Sequence, residues 1–216
     1  PSGQTSRQAR LHEFTPKHQH GGLFTGSAVE ATSAPKIVQS DKYIPATTEE
    51  AGVTDIATIS LGGIAQCDSY NVASNDFDEA IIKYVRRTYN IEIGPLTAEK
   101  IKIQVGTVMQ RPVDITMIAK GRNLLTGLPE SFEINSKQIF DTVFDTAVSI
   151  CNAVRKVIER TDPDIVSDIM ENGIYLCGGG ALINGMSEFM GEFIGTKVIL
   201  AADPAHSVIR GAALAL

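Results

Sequence analysis

The sequence predicts an α/β protein whose main unit is interrupted by a small α+β insert, and three observations predict it. Apolar and polar residues alternate over 54–61, Gly62-Gly63 follow as a tight turn and 64–72 can return as the second strand of a hairpin, before apolar residues recur at helical spacing. A long stripe formed by Ile139, Val143, Ala147, Ile150, Val154 and Ile158 runs unbroken until Asp162 and Pro163 stop it. The apolar run 174–177 then ends in Gly178, Gly179 and Gly180 and feeds a further helical stretch, giving strand, turn and helix in succession.

With 216 residues the chain is long enough for one well-buried core, or for one large domain with an inserted subdomain. Its 19 Lys and Arg against 25 Asp and Glu leave a net charge of -6, which offers no basic face to a phosphate backbone and is repelled by anionic lipid. Nucleic-acid binding is therefore disfavoured. The longest apolar runs fall far short of the ~20 residues that a membrane-spanning helix needs. No apolar run follows the basic residues near the N-terminus, so neither membrane insertion nor a cleaved secretory signal is expected. Cys67, Cys151 and Cys177 are far apart, form no CxxC pair and are odd in number, which argues against a disulfide framework or zinc site and for a cytoplasmic location. His12, His18 and His20 lie close together, but no Cys or acidic cluster joins them and no metal site is expected.

Residues 1–50 are rich in Ser, Thr, Gln, Gly and His, with short apolar snatches at Leu23-Phe24 and Ile37-Val38. Such a stretch cannot bury enough apolar area to offset its ordering entropy, so it reads as a polar, flexible tail or a partner-dependent arm. A strand at 54–61, a tight turn at Gly62-Gly63 and a returning strand at 64–72 follow. Asn75 or Asp76 caps a helix that buries Phe77, Ile81, Tyr84, Val85 and Tyr89 and exposes Glu79, Lys83, Arg86 and Arg87. Thr97 caps a shorter helix containing Ile101 and Val105, closed at Gly106 by a left-handed C-cap. Val113, Ile115 and Met117 alternate as a strand, Gly121, Gly127 and Pro129 punctuate a turn region, and a second strand covers 132–134. Residues 91–134 thus form the insert, and 51–90 with 135–216 the main unit. Ser136 opens the long helix, which should pack on the main sheet. A short helix ends at Asn172-Gly173; strand 174–177, helix 181–194 and strand 197–200 succeed it, and Asp203-Pro204 opens a closing helix.

Chemistry is most readily placed at the triple glycine. Glycine has no Cβ to hold the backbone off a flat or anionic ligand, and the N-terminus of a following helix offers free N–H groups and positive dipole. The same sequence also makes a plain tight turn.

Four stretches carry a resemblance to a known family. TDIATISLGGI at 54–64, FDEAIIKYVRR through YNIEIG to TAEKIKIQVG over 77–106, GRNLLTGLPESFEI at 121–134 and DIMENGIYLCGGGALINGM at 168–186 occur in the order and spacing of bacterial actin homologues of the MreB type. The resemblance runs from Thr54 to the end of the chain. It implies the second lobe of the actin and sugar-kinase ATPase fold, with subdomain IIA at 51–90 and 135–216 interrupted by the smaller subdomain IIB at 91–134. By position it implies that Gly178, Gly179 and Gly180 form an adenosine-side loop whose helix Ala181 and Leu182 open. It also implies that Glu99 and Lys102 reach the ribose and base of ATP from the opposite side. On their residues alone, Glu99 and Lys102 make a common surface pair on a solvated helix face.

The chain also departs from the family pattern. Where the family has DIGGGTTE, whose glycines wrap the phosphates, this chain has Thr48-Glu49-Glu50-Ala51-Gly52-Val53-Thr54-Asp55. Glu49 and Glu50 put like charge where amides would face phosphate oxygens, and Thr48 takes the place of the metal-side aspartate. Ser74-Asn75 replaces Gly-Asp at a nucleotide-facing turn. The DxGT phosphate loop and the first lobe, which holds the family's membrane-binding segments, are not found. Phosphoryl transfer rests on positioning and metal-assisted charge stabilisation, so no catalytic residue is assigned, no autonomous ATPase activity is expected and Mg-ATP binding is expected to be weak. The expected role is an actin-like structural protein of the cytoskeleton, connected with rod shape and contacting filament subunits, its own copies or full-length MreB, between IIA of one subunit and IIB of the next. Two alternatives stand beside it: an ATPase whose cleft a separate first-lobe chain completes, and a degenerate fragment without function.

Overall fold

The computed structural model describes residues 22–27, 52–60 and 63–215. Among them the chain runs through β1 (Gly22–Ser27), β2 (Thr54–Ser60), β3 (Gly63–Tyr70), α1 (Ser74–Tyr89), β4 (Ile91–Glu92), α2 (Pro95–Val105), β5 (Thr116–Asn123) and β6 (Pro129–Asn135). It continues through α3 (Ser136–Arg160), α4 (Pro163–Asn172), β7 (Ile174–Gly178), a 3-10 turn (Gly179–Leu182), α5 (Met186–Ile194), β8 (Val198–Leu200), a second 3-10 turn (Pro204–His206) and α6 (Ser207–Ala215).

The main sheet has the order β3-β2-β1-β7-β8. β2 pairs antiparallel with β3 and β1, whereas β7 pairs parallel with β1 and β8. Six residues of the stretch expected to be tail therefore supply the central strand, and the Leu23-Phe24 pair lies on it. Composition says little about so short a strand, because the ladders of β2 and β7 bond to backbone rather than to particular side chains. Ile37-Val38 and the Gly62 side of the expected turn lie outside the described residues.

Helix α3 packs across β2 and β3, and α4 against β1. Phe77, Ile81 and Val85 of α1 meet Ile139, Val143, Ala147, Ile150 and Val154 of α3 in the core, all essentially without solvent exposure. Each such Ile, Val or Phe contributes about 1.5–3 kcal/mol relative to an exposed position. α3 starts from a reciprocal cap: the Asn135 side chain accepts from Gln138 N–H at 2.9 Å, and Gln138 Oε1 accepts from Asn135 N–H at 3.0 Å. α1 starts at Ser74, ahead of the expected cap, because the Asp76 carboxylate reaches back to the Ala73 N–H at 2.7 Å. It ends at Asn90, whose φ of 56° is left-handed.

The second sheet, β4-β5-β6, carries α2 on one side and turns Ala119, Phe132 and Ile134 inward. Tyr89 at the end of α1 fastens it, stacking on Phe132 with ring centroids 5.0 Å apart and donating from its hydroxyl to Glu133 O at 2.9 Å. Three expectations in this region are corrected. β5 begins at Thr116, so Val113 and Ile115 precede it; Ile115 instead exchanges hydrogen bonds with Ser136 at the head of α3. Gly121 lies inside β5, where a Cβ would come within 2.4 Å of Ile91 Cγ2. Gly106 is not left-handed: its φ is -60°, and glycine is needed there for space, since a Cβ would sit 2.1 Å from Lys102 O.

Candidate functional site

β7 delivers the chain to the triple glycine. Gly178 adopts φ 93°, a conformation that disfavours any side chain, and Gly179 has open space where a Cβ would stand. Gly178 and Gly180 are buried and Gly179 is exposed. From Gly179 the backbone takes one 3-10 turn, closed by the Ile183 N–H donating to Gly180 O at 3.3 Å.

Ala181 and Leu182 do not open an α-helix, contrary to expectation. They lie inside this 3-10 turn, Ala181 buried and Leu182 exposed, and the chain then extends through Ile183 to a left-handed Gly185 (φ 81°) before α5 begins at Met186. The positive φ of Gly185 is what separates turn from helix. The N–H groups beside the glycines therefore belong to a short turn rather than to the head of a long helix.

On α2, Glu99 is exposed while Lys102 is buried, at 7% exposure. Lys102 does not join Glu99 in a solvated surface pair. Its Nζ donates to Asp78 Oδ2 at 2.7 Å, to Ser74 Oγ at 2.8 Å and to Ser74 O at 3.3 Å, all on α1. The second Asp78 oxygen, Oδ1, is buried without a hydrogen-bond partner. Burial pushes the Asp78 carboxyl above its ordinary range, while the Lys102 hydrogen bond and charge pull the other way and Glu99 adds to the rise. Ser74 and Asp78 thus join Lys102 in one cluster, and neither stands among the residues that the resemblance implies for nucleotide. Ser74 is one of the two residues that depart from the family's Gly-Asp, and Asp78 stands in the FDEA stretch.

The two halves of the site are stitched together beyond α2. The Val108 N–H donates to Asn184 O at 3.0 Å, and Thr107 Oγ1 donates to Met109 O at 2.6 Å while lying 3.2 Å from Asn184 Oδ1. A Cβ on Gly185 would come within 2.9 Å of the Met109 side chain, so the two loops are in close contact. A separate pocket of about 260 Å³ opens between the 107–114 stretch and the head of α3; Arg111, Asp114, Ser136, Lys137 and Asp141 contribute its polar lining. Neither the glycines nor Glu99 and Lys102 line it. Glu49 and Glu50, like His12, His18 and His20, lie outside the described residues. Among the described residues, no helix is long and apolar enough to cross a membrane.

A five-stranded mixed sheet of this order, with a small sheet inserted after its first helix and a glycine turn leaving β7, defines a lobe of the actin-like ATPase fold. The structure superposes on MreB5 of Spiroplasma citri bound to ADP with a TM-score of 0.79 at 30% identity, over 96% of this chain and 57% of that one. It matches the MamK double helical filament with a TM-score of 0.66 at 16% identity, over 95% of this chain and 55% of that one, a likeness of fold alone. The family model for MreB/Mbl protein matches residues 49–216, and the chain belongs to that family. It is 39% identical over 165 residues to the cell shape-determining protein MreB of Escherichia coli (strain K12), covering 76% of this chain and 48% of that protein. It is 36% identical over 165 residues to the cell shape-determining protein Mbl of Bacillus subtilis (strain 168), covering 76% of this chain and 50% of that protein. The chain thus spans about half the length of these relatives.

Proposed function

We propose that the chain is an actin-like structural protein of the bacterial cytoskeleton, acting in cell shape by associating with filament subunits, either its own copies or full-length MreB, inside the cytoplasm. One observation carries the reading beyond the family itself: the inserted sheet and its helix expose an unusual set of large apolar side chains. Leu96, Ile103, Ile118, Leu125 and Leu128 are each at least 65% exposed, and Leu125 and Leu128 lie in the β5–β6 turn. Apolar groups gathered on one small unit are the mark of an association surface. That surface belongs to IIB, the subdomain that meets IIA of the next subunit in filaments of this family.

Nucleotide has a secondary part in the proposal. The open space at Gly179 suits close approach of an adenosine, and MreB5 of Spiroplasma citri has been seen with ADP and with AMPPNP. Lys102, however, is held by Ser74 and Asp78, and no described residue is assigned to a metal or to the phosphates. Mg-ATP then binds weakly and is not hydrolysed by this chain alone. Tight binding by the isolated chain in calorimetry would contradict this part.

The structural role is tested by sedimentation and negative-stain microscopy of the purified chain, with and without full-length MreB. Pelleting or altered assembly is expected, and Leu125→Glu with Leu128→Glu should abolish it while leaving the circular dichroism unchanged. If the unsubstituted chain neither assembles nor alters assembly, the proposal fails.

A further inference from the structure

The central strand of the main sheet comes from outside the region that defines the family. The family match begins at residue 49, yet β1 is Gly22–Ser27. Its partners are set along both edges: Gly22 to Ser27 run antiparallel against Ile59 to Thr54, and Leu23 to Ser27 run parallel against Ile174 to Gly178. Without β1, β2 and β7 would face each other across a gap, each presenting unpaired N–H and C=O groups, which are strong templates for another extended chain. The sequence in the gap, Gly-Leu-Phe-Thr-Gly-Ser, sets two glycines, which weaken a strand, beside Phe and Thr, which favour one. Its main-chain pairing to β2 and β7 does not discriminate between one copy of the chain and another.

We propose that the gap between β2 and β7 is a strand-docking site, and that β1 of a second copy of this chain can occupy it in place of the chain's own β1. Residues 28–53 tether β1 to β2. Fully extended, that length spans roughly 90 Å, several times the length of a strand, so the tether permits docking on either sheet. A tether of this kind gives β1 an effective concentration on the order of millimolar at its own sheet, and a neighbour's strand competes as the protein concentration approaches it. Reciprocal exchange fills the gap between β2 and β7 in both sheets and closes a two-fold dimer.

Disulfide trapping tests this in the full chain. Gly26 and Asp55 are cross-strand partners. In a Cys67→Ser background, one preparation carries Gly26→Cys and a size tag, another Asp55→Cys, and a third both. Cys151 and Cys177 are buried, with thiols pushed up to about 12 and about 11, and stay silent. The two single variants are refolded together and oxidised. The expected result is a tagged–untagged disulfide dimer on a non-reducing gel, its share rising with protein concentration. A link formed only within the double variant, with no mixed dimer at any concentration, would leave β1 in its place and overturn the exchange. No link in either experiment would overturn the docking site itself. Light scattering on the unsubstituted chain gives a check independent of these substitutions: a dimer fraction that rises with concentration and falls when excess synthetic peptide of residues 20–29 is added. A dimer unaffected by the peptide counts against the proposal, because association through the apolar side chains of the insert would not use this gap.

Discussion

At the scale of single residues, the Lys102–Asp78 pair and the buried thiols give the sharpest tests. The folded chain holds the Asp78 proton more tightly than the unfolded chain, whose carboxyl has the ordinary value of 3.8. The contribution of Asp78 to stability is therefore fully present below that value and is lost as pH rises through the raised folded value. The difference in urea-unfolding free energy between wild type and Asp78→Asn should fall with rising pH across that window. A difference that rises instead would mean that attraction to Lys102 outweighs burial. The thiols divide cleanly. Cys67 is exposed, whereas burial pushes Cys151 up to about 12 and Cys177 up to about 11, leaving on the order of one thiolate in a thousand or fewer at pH 8. A colorimetric thiol reagent at pH 8 should titrate one cysteine in the folded chain and three in denaturant; rapid reaction of a second would show that the core opens. The sequence marked Lys102 and the glycines through their motif. It did not reveal that Lys102 points to Ser74 and Asp78, because that depends on how α1 and α2 cross, and no spacing along either helix encodes it.

At the scale of elements, glycines separate those required by the fold from those available to a ligand. Gly106→Ala drives a Cβ to 2.1 Å from Lys102 O at the end of α2 and should cost about 1–3 kcal/mol, seen as a lower thermal midpoint. Gly179→Ala meets nothing within 4 Å and should leave the unfolding free energy within about 0.5 kcal/mol of wild type. Equal losses in the two variants would mean that the turn after β7 is closed rather than open. The long helices were legible because periodicity records a buried stripe directly: the whole run from Ile139 to Val154 is buried as its spacing implied. Boundaries set by backbone geometry were not. The start of α5 depends on the left-handed Gly185, and the start of β5 on hydrogen bonds between Ile115 and Ser136, so the alternation of Val113 and Ile115 suggested a strand that stops short of them. β1 was the least legible element. Leu23-Phe24 is too short an apolar signal to distinguish a strand from a tail, and its partners lie far away in the sequence.

At the scale of the whole molecule, the architecture combines a well-filled lobe with an insert that leaves several large apolar side chains in solvent, an arrangement suited to association rather than to isolated stability. The central strand has a further consequence, in the order of synthesis. β1 is the first described element made, and β7 is made only after α4: Leu23 must find Ile174 across all of the chain between them. While the ribosome is still building α1 to α4, the β2–β3 hairpin can form at once, but β1 has only one of its two neighbours and the sheet stays open on its β7 side. A fold whose centre is closed so late has high contact order, so refolding from denaturant, followed by circular dichroism, should take milliseconds to seconds or longer rather than microseconds. Microsecond refolding would mean that the sheet assembles without waiting for this pairing. A nascent chain stalled before residue 174 should, for the same reason, be the form most prone to pair with the wrong partner.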